Sequence, residues 1–193
     1  MKKAIARLAC LLLCVSAAAH AERSRAVHSQ GFFRNHSLMF GLDTEVGVPL
    51  GNYADASSVG GGGALTAELS LFDTLSATMR AGVELHSNRD VPAVGSSHVH
   101  ALPILLGTKY YLGSSREGLF GTFEAGTFIL MSSLTPARGA ATSSTDLKFG
   151  LGAGIGFQQD HWNVRVNLHT QDVGNFGDAF MMTCGVGYEF GGI

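Results

Sequence analysis

The 193-residue chain has few cysteines, few prolines, no long apolar run and no block of basic residues. Two of its three cysteines, Cys10 and Cys14, lie in an apolar N-terminal segment, so Cys184 is the single cysteine of the expected mature chain. This excludes an intrachain disulfide and a cysteine-based metal cluster. No apolar run reaches the roughly 18 residues that a membrane-spanning helix needs. The lack of basic blocks argues against a nucleic-acid partner.

The N-terminus has the pattern of a secretory signal peptide. Lys2, Lys3 and Arg7 precede or enter a short apolar run, and Ala19-His20-Ala21 fits the small-residue rule before a cleavage site. We therefore expect residues 1–21 to direct secretion across the inner membrane and residues 22–37 to form a short periplasmic lead. Removal of three cations changes the formal net charge from −2 to −5, which leaves a mildly acidic mature chain.

The chain is instead rich in glycine, with 26 glycines against 4 prolines. These glycines follow no strict three-residue period, which excludes collagen. From residue 38 onward, apolar residues alternate with small or polar ones, the pattern of β-strands. Eight segments show it: 38–48, 62–71, 75–86, 102–112, 122–131, 146–158, 162–169 and 180–190. The connections are short at 72–74, 113–118 and 159–161, and longer and polar at 51–58, 87–97, 132–145 and 171–178.

This organisation predicts an all-β protein, an eight-stranded antiparallel up-and-down transmembrane β-barrel over residues 38–190, followed by a tail at 191–193. The strand lengths suit tilted membrane strands, and short turns at one rim with long loops at the other are typical of outer-membrane barrels. Alternation alone also fits a soluble, lipocalin-like barrel with an apolar cavity. The glycine row Gly150, Gly152, Gly154 and Gly156 favours the first reading, because glycine makes room for large side chains inside a narrow barrel.

The face that carries these glycines also carries the charges, so we place them in the lumen and the apolar face in lipid. Tyr110, Trp162, Tyr188 and Phe190 lie near apolar strand ends, where an interfacial aromatic girdle is expected. The predicted lumen ion network has a surplus of acids and comprises Asp43, Glu45, Glu68, Arg80, Glu84, Lys109, Glu124, Asp146, Lys148, Arg165 and Glu189.

Three stretches resemble a known family. They are Val46-Gly-Val-Pro-Leu-Gly-Asn-Tyr53, Leu102-Pro-Ile-Leu-Leu-Gly-Thr-Lys-Tyr-Tyr-Leu112 and Thr183-Cys-Gly-Val-Gly-Tyr-Glu-Phe190. They resemble the outer-membrane β-barrel domain proteins often labelled "porin family", and the chain is also similar to the small OmpA-type transmembrane barrels. The resemblance implies a place in the cell outer membrane of a Gram-negative bacterium, among outer-membrane lipids.

The last stretch also resembles the terminal signal that the β-barrel assembly machinery reads during insertion. The matching residues are Thr183, Gly185, Tyr188 and Phe190. Many such barrels end on the aromatic residue, whereas Gly191-Gly192-Ile193 follows it here. The resemblance says little about activity.

Catalytic and ligand motifs are weak. Gly60 to Gly63 lacks the Lys-Ser/Thr of a phosphate loop. His98-x-His100, with His86 nearby, has a spacing that suits a metal, but no Cys or carboxylate completes it. His169-Thr170-Gln171 resembles the His-x-Ser pair of small lipid A deacylases, with Gln171 in place of the nucleophilic Ser. We expect no catalytic residue, no cofactor and no metal.

The sequence therefore favours a non-enzymatic protein with a structural or surface-interaction role, whose four outer loops could contact an extracellular ligand. One alternative is a narrow porin-like channel for small solutes. A second is an outer-membrane lipid-modifying enzyme.

Overall fold

Strands form where apolar residues alternate with small or polar ones, because successive side chains of a strand point to opposite faces. The computed structural model describes residues 37–91, 95–113, 116–176 and 179–192, so the predicted signal peptide and most of the predicted lead lie outside the described residues. A short helix, α1 (Tyr53–Ala56), follows the first strand, and a 3-10 turn (Val173–Asn175) follows the eighth. The strands are β1 (Leu38–Pro49), β2 (Gly60–Ser70), β3 (Leu75–His86), β4 (Arg89–Val91), β5 (Gly95–Tyr111), β6 (Gly118–Pro136), β7 (Thr142–Gln159), β8 (Trp162–Thr170) and β9 (Phe180–Gly192).

Eight of these strands close into an antiparallel barrel, which confirms the predicted fold. Each barrel strand pairs with the next one along the chain, and β3 pairs directly with β5. The ring closes where β1 pairs with β9, from Met39 opposite Gly192 to Pro49 opposite Met181. The short strand β4 stands outside the ring and pairs only with the first residues of β5.

Three strands are longer than predicted. The prediction of loops at 87–97 and 132–145 was wrong in part, because β5, β6 and β7 continue beyond the barrel rim as a three-stranded sheet. Gly95 pairs with Pro136, and Leu134 pairs with Thr142. Serine and threonine dominate this sheet, so it lacks the apolar alternation that revealed the other strands. At the other rim, β9 continues two residues past its predicted end at Phe190.

The turns at the rim where β1 begins and β9 ends are tight. Backbone N–H groups of Leu71 and Phe72 both donate to the Leu75 carbonyl, at 3.0 and 2.9 Å. Asp160, between β7 and β8, adopts a left-handed conformation with φ of 51°, which an Asp tolerates better than most residues. These turns leave little chain between neighbouring strands and thereby fix their pairing register.

The outer wall is apolar over a constant height, which we call the apolar band. Ten residues separate Leu102 on β5 from Leu112, which directly follows that strand, and ten separate Leu147 from Phe157 on β7. At about 3.3 Å per residue and a tilt of about 40°, this spacing gives about 25 Å along the barrel axis. Leu112 and Leu147 are 69% and 72% exposed. No helix among the described residues has both the length and the apolar composition to cross a membrane.

Candidate functional site

The lumen holds an ion cluster at its middle. Arg80 on β3 is 2% exposed, and its guanidinium contacts three carboxylates from two strands. It forms a close ion pair with Glu45, and its Nε and Nη1 atoms lie 3.9 Å from Asp43 Oδ2 and 4.0 Å from Glu124 Oε2. Arg165 on β8, on the barrel wall opposite β3, forms an ion pair with Asp43. We call Asp43, Glu45, Arg80, Glu124 and Arg165 the central ion cluster.

A second cluster lies nearer the rim of short turns. Lys109 Nζ on β5 donates to Glu68 Oε2 and to Gln158 Oε1, both at 2.8 Å, and lies 3.5 Å from Glu189 Oε1. The Tyr111 hydroxyl donates to the other Glu68 oxygen at 3.0 Å. The lysine also lies over the Tyr111 ring, 4.9 Å from its centroid, a favourable cation–π position. We call Glu68, Lys109, Tyr111, Gln158 and Glu189 the lower ion cluster.

A cavity of about 40 Å³ lies between the two clusters and is lined by members of both, including Asp43, Arg80, Lys109 and Glu189. A volume of this size holds no more than a few water molecules. This cavity is therefore too small to hold a hydrated solute.

Glycines create the room that the large lumen side chains occupy. A Cβ on Gly154 would collide with the Asn167 side-chain oxygen, and one on Gly187 would collide with Asp43 Oδ1. The prediction that the glycine row on β7 makes room for large lumen side chains therefore has a direct steric basis. Side chains of β8 occupy the space beside Gly152 and Gly154, and phenylalanine rings of β6 occupy the space beside Gly150 and Gly156.

The mouth at the rim of long loops is closed by a third set of contacts. Gln171 Nε2 donates to Glu84 Oε2 at 3.2 Å, where both side chains are buried. The Tyr53 ring of α1 packs edge-on against His86, with ring centroids 5.9 Å apart. The His86 Nδ1–H donates to the Ser58 carbonyl at 2.8 Å. The connection between β1 and β2 therefore folds into the mouth instead of standing away from it.

Two members of the predicted network lie outside the lumen clusters. Asp146 is exposed, on the part of β7 that extends beyond the rim. Lys148 Nζ binds Asp172 Oδ2 at 2.9 Å, in the connection between β8 and β9. This hydrogen bond with Lys148 lowers the pKa of the Asp172 carboxyl. The other nine predicted residues have buried or nearly buried side chains inside the barrel, six of them acids and three of them bases.

The residues of the predicted assembly signal occupy both faces of β9. Thr183 is 1% exposed and points into the lumen, where its hydroxyl lies 3.3 Å from His169 Nε2. Gly185 packs against the backbone carbonyl of Thr44. Tyr188 and Phe190 are exposed on the outer wall, and Tyr188 stacks edge-on with Trp162 at 4.8 Å.

The histidines of the sequence motifs have specific partners. His100 Nδ1 accepts a hydrogen bond from the His86 backbone N–H at 3.1 Å, so the proton of the neutral ring is on Nε2. A metal-binding histidine normally donates from its second nitrogen, which this arrangement does not allow. His169 contacts Thr183 and is 1% exposed, and Gln171 is 0% exposed. The His169-Thr170-Gln171 motif therefore does not present its histidine to solvent. Among the described residues, no group of three metal-binding side chains comes together.

Neutral partners of the ion clusters were not predicted. Gln158, Gln171 and Tyr111 bind the charged groups directly, and Asn167 accepts from the Thr122 hydroxyl at 3.1 Å. Gln158, Tyr111 and Asn167 lie on the inward face of their strands, and Gln171, which directly follows β8, continues the same phase. That phase is the signal that would have identified them, since a buried amide or phenol needs a partner as much as a charge does.

No protein-family model and no curated protein sequence matches the chain. Solved structures of Ail, the attachment invasion locus protein of Yersinia pestis, are similar in fold. One superposes with a TM-score of 0.57 at 12% identity, and one in complex with the heparin analogue sucrose octasulfate with 0.56 at 10% identity. Both cover 81% of this chain and all of the Ail chain. The backbone structure of Ail in a phospholipid nanodisc gives 0.50 at 10% identity, covering 79% and 99% of the two chains. At these identities the likeness shows the fold alone, that of a closed eight-stranded barrel.

Proposed function

We propose that this chain is an integral outer-membrane β-barrel with a structural or surface-interaction role and no catalytic activity. The observation that carries the proposal is the inverted polarity of the barrel, with ions inside and leucine, isoleucine and phenylalanine outside. A soluble protein rarely exposes an apolar patch beyond a few hundred Å², and here apolar residues dominate the outer wall on all eight barrel strands. Lipid is the solvent that suits this wall, and a closed barrel leaves no backbone edge unpaired within it.

The filled lumen favours a surface-interaction role over the transport of solutes. The two ion clusters and the small cavity between them leave little open volume in this part of the lumen, which argues against the alternative of a narrow pore. Planar-bilayer recordings test this point, and we expect no single-channel conductance from the folded barrel. Regular conductance steps from folded protein would favour the pore.

The described outer loops carry no strong charge of one sign. Arg89 lies near Asp55 and Lys148 is paired with Asp172, while Arg138 adds one positive charge and Asp90 and Asp146 add two negative ones. We therefore do not extend the heparin-analogue binding of Ail to this chain. An extracellular ligand would bind to the neutral, hydroxyl-rich sheet of β5, β6 and β7 and to the loops around it.

Insertion by the β-barrel assembly machinery belongs to the same proposal. The outward-facing Tyr188 and Phe190 match the aromatic positions of the terminal signal. We expect Phe190→Ala to lower the amount of barrel recovered from the outer membrane, whereas Phe123→Ala, at another exposed aromatic position, would not.

The single tryptophan gives a direct test of the membrane assignment. Trp162 is 57% exposed on the outer wall, at one end of the apolar band. The full chain would be refolded into phosphatidylcholine vesicles whose acyl chains carry bromine, which quenches tryptophan at contact distance. We expect strong quenching relative to unbrominated vesicles, together with a band that shifts on boiling in a denaturing gel.

A soluble barrel gives the opposite result. Trp162 would then show no quenching, and the protein would stay in the supernatant when the vesicles are sedimented. A Trp162→Phe variant is the control, because it must fold and shift on the gel while losing the fluorescence signal. Folded protein without quenching would refute the membrane assignment.

A further inference from the structure

The sheet that extends beyond the barrel rim carries a polar patch on its outer face. Two rows of paired residues cross its three strands there. His98, Ser133 and Ser143 form one row, and His100, Met131 and Thr145 form the row below it. With neighbouring strands about 4.8 Å apart, each row is about 10 Å wide. We call the polar members of these rows, His98, His100, Ser133, Ser143 and Thr145, the outer polar patch.

The height of this patch relative to the membrane follows from the strand register. Leu102, Ile129 and Leu147 form the next row down, and they are the top of the apolar band. The two patch rows lie two and four residues further along the same strands, on the same face. At about 3.3 Å per residue and the usual tilt, these rows lie about 5 and 10 Å above the hydrocarbon edge. That is the level of the headgroups of the surrounding lipid leaflet.

The chemistry of the patch suits an anion that accepts hydrogen bonds. Because His100 Nδ1 accepts from the His86 backbone, the Nε2–H of His100 is the nitrogen that is left to donate. The rings of His98 and His100 lie close, with centroids 4.4 Å apart. Burial and the neighbouring His98 lower the pKa of His100. The hydroxyls of Ser133 and Ser143 add two donors in the upper row.

The charged groups near the patch are few. Asp90 on β4 pairs with Ser96, beside the upper row, and is the one acid on the same face among the described residues. Asp146 and Lys148 follow the other face of β7, and His86 contacts the patch through its backbone N–H. The patch is thus a neutral donor surface with one acid at its margin, and hydrogen bonding would select its ligand more than net charge.

We propose that the outer polar patch binds the phosphate of a lipid headgroup in the surrounding leaflet, while the acyl chains of that lipid lie on the row of Leu102, Ile129 and Leu147. This inference rests on the proposed membrane location. The continuity of the patch with the apolar band favours a membrane lipid over a free phosphate ion. Imidazole and hydroxyl donors match the three acceptor oxygens of a phosphate monoester.

A fluorescence quenching assay measures lipid preference at the patch. In a Trp162→Phe background, Ile129→Trp places a reporter on the row below the patch. The full chain would be reconstituted in mixtures of phosphatidylcholine and phosphatidic acid, with bromine on the acyl chains of one lipid at a time. We expect phosphatidic acid to be preferred about fivefold to tenfold at the Ile129→Trp reporter, the size of one ordinary net hydrogen bond. In the unmodified chain, measured separately, Trp162 at the opposite rim should show almost no lipid preference.

Matched variants separate the patch from the general properties of the membrane. Combining His98→Ala, His100→Ala, Ser133→Ala and Ser143→Ala in the reporter chain removes these donors and should reduce the preference to the value at Trp162. Ser132→Ala with Ser144→Ala alters the opposite face of the same strands and should leave the preference unchanged.

Three outcomes would overturn the inference. The first is an equal lipid preference at the two tryptophan positions in a barrel that brominated phosphatidylcholine quenches at both. The second is a preference that survives the fourfold substitution. The third is a preference that millimolar inorganic phosphate abolishes, which would assign the patch to a free anion. A failure of the membrane location is distinguishable, because brominated phosphatidylcholine would then quench neither position.

Discussion

Removal of the central cation of the lumen should destabilise the barrel far more than removal of an exposed one. Arg80→Met keeps much of the side-chain volume but removes the positive charge that contacts Asp43, Glu45 and Glu124. All four side chains are 5% exposed or less. Breaking a buried ion pair by removing one partner costs about 3–5 kcal/mol, because the remaining charge stays buried without compensation. A cost of about 4 kcal/mol lowers the folding equilibrium constant by about three orders of magnitude.

Urea unfolding of the full chain in phosphatidylcholine vesicles measures this cost. Trp162 fluorescence and the heat-dependent gel shift report the folded fraction independently. The matched control is Lys148→Met, which removes a cation whose side chain is 40% exposed and whose ion pair lies outside the lumen clusters. We expect a large fall in the urea midpoint for Arg80→Met and almost none for Lys148→Met.

A double variant tests whether charge is the cause. Glu45→Gln in the Arg80→Met background removes one of the uncompensated carboxylates and should recover part of the lost stability. If Arg80→Met unfolds at the same urea concentration as the unmodified chain, the lumen ions contribute little. If Glu45→Gln lowers stability further in that background, the loss comes from packing and not from charge.

Two further predictions follow from the β7 glycines and from the Lys148–Asp172 pair. Gly154→Val should lower the free energy of unfolding by about 1–3 kcal/mol, because its side chain would overpack against Asn167 and the Val166 carbonyl. Gly121→Ala is the control: its Cβ would have no neighbour closer than 3.9 Å, so the free energy of unfolding should not change in the same urea assay. Since the pKa of Asp172 is lowered in the folded state, its contact with Lys148 stabilises the outer loop above the unfolded-state pKa and is lost as the pH falls through the folded value. A carboxyl NMR titration would show this, and Lys148→Met should raise the Asp172 pKa; an unchanged titration would contradict it.

The barrel itself could be predicted from the sequence because its determinants are local. Alternation fixes which residues share a face, and glycine on the polar face of β7 distinguishes a crowded interior from a solvated one. Gly154 and Gly156 oppose Asn167 and Arg165 across the β7–β8 pairing, so small and large residues are matched between neighbouring strands. This matching needs only the strand phase and the short turn at Asp160.

The extension and the division into two ion clusters could not be predicted in this way. The extended parts of β6 and β7, which contain Ser132, Ser133 and Ser143, show no alternation of apolar and polar residues. Their strand conformation depends on pairing across the sheet. Lys109 and Glu68 are 41 residues apart in sequence, and their contact depends on the stagger of the strands around the ring. Lys148 has the inward phase of the lumen residues, but it lies above the last β7–β8 pair at Leu151 and binds a loop instead.

The seam between β1 and β9 has a consequence for how the barrel assembles. It joins the two ends of the described chain, and across it the Thr44 hydroxyl donates to the Val186 carbonyl over a separation of 142 residues. The entropy of closing so long a loop must be offset before any bond of the seam can form, so such pairings form late and slowly. The intermediate hairpins shorten this loop step by step. We therefore expect ring closure to be the slowest step in folding, and until it occurs β1 and β9 are two open sheet edges that can pair with other chains.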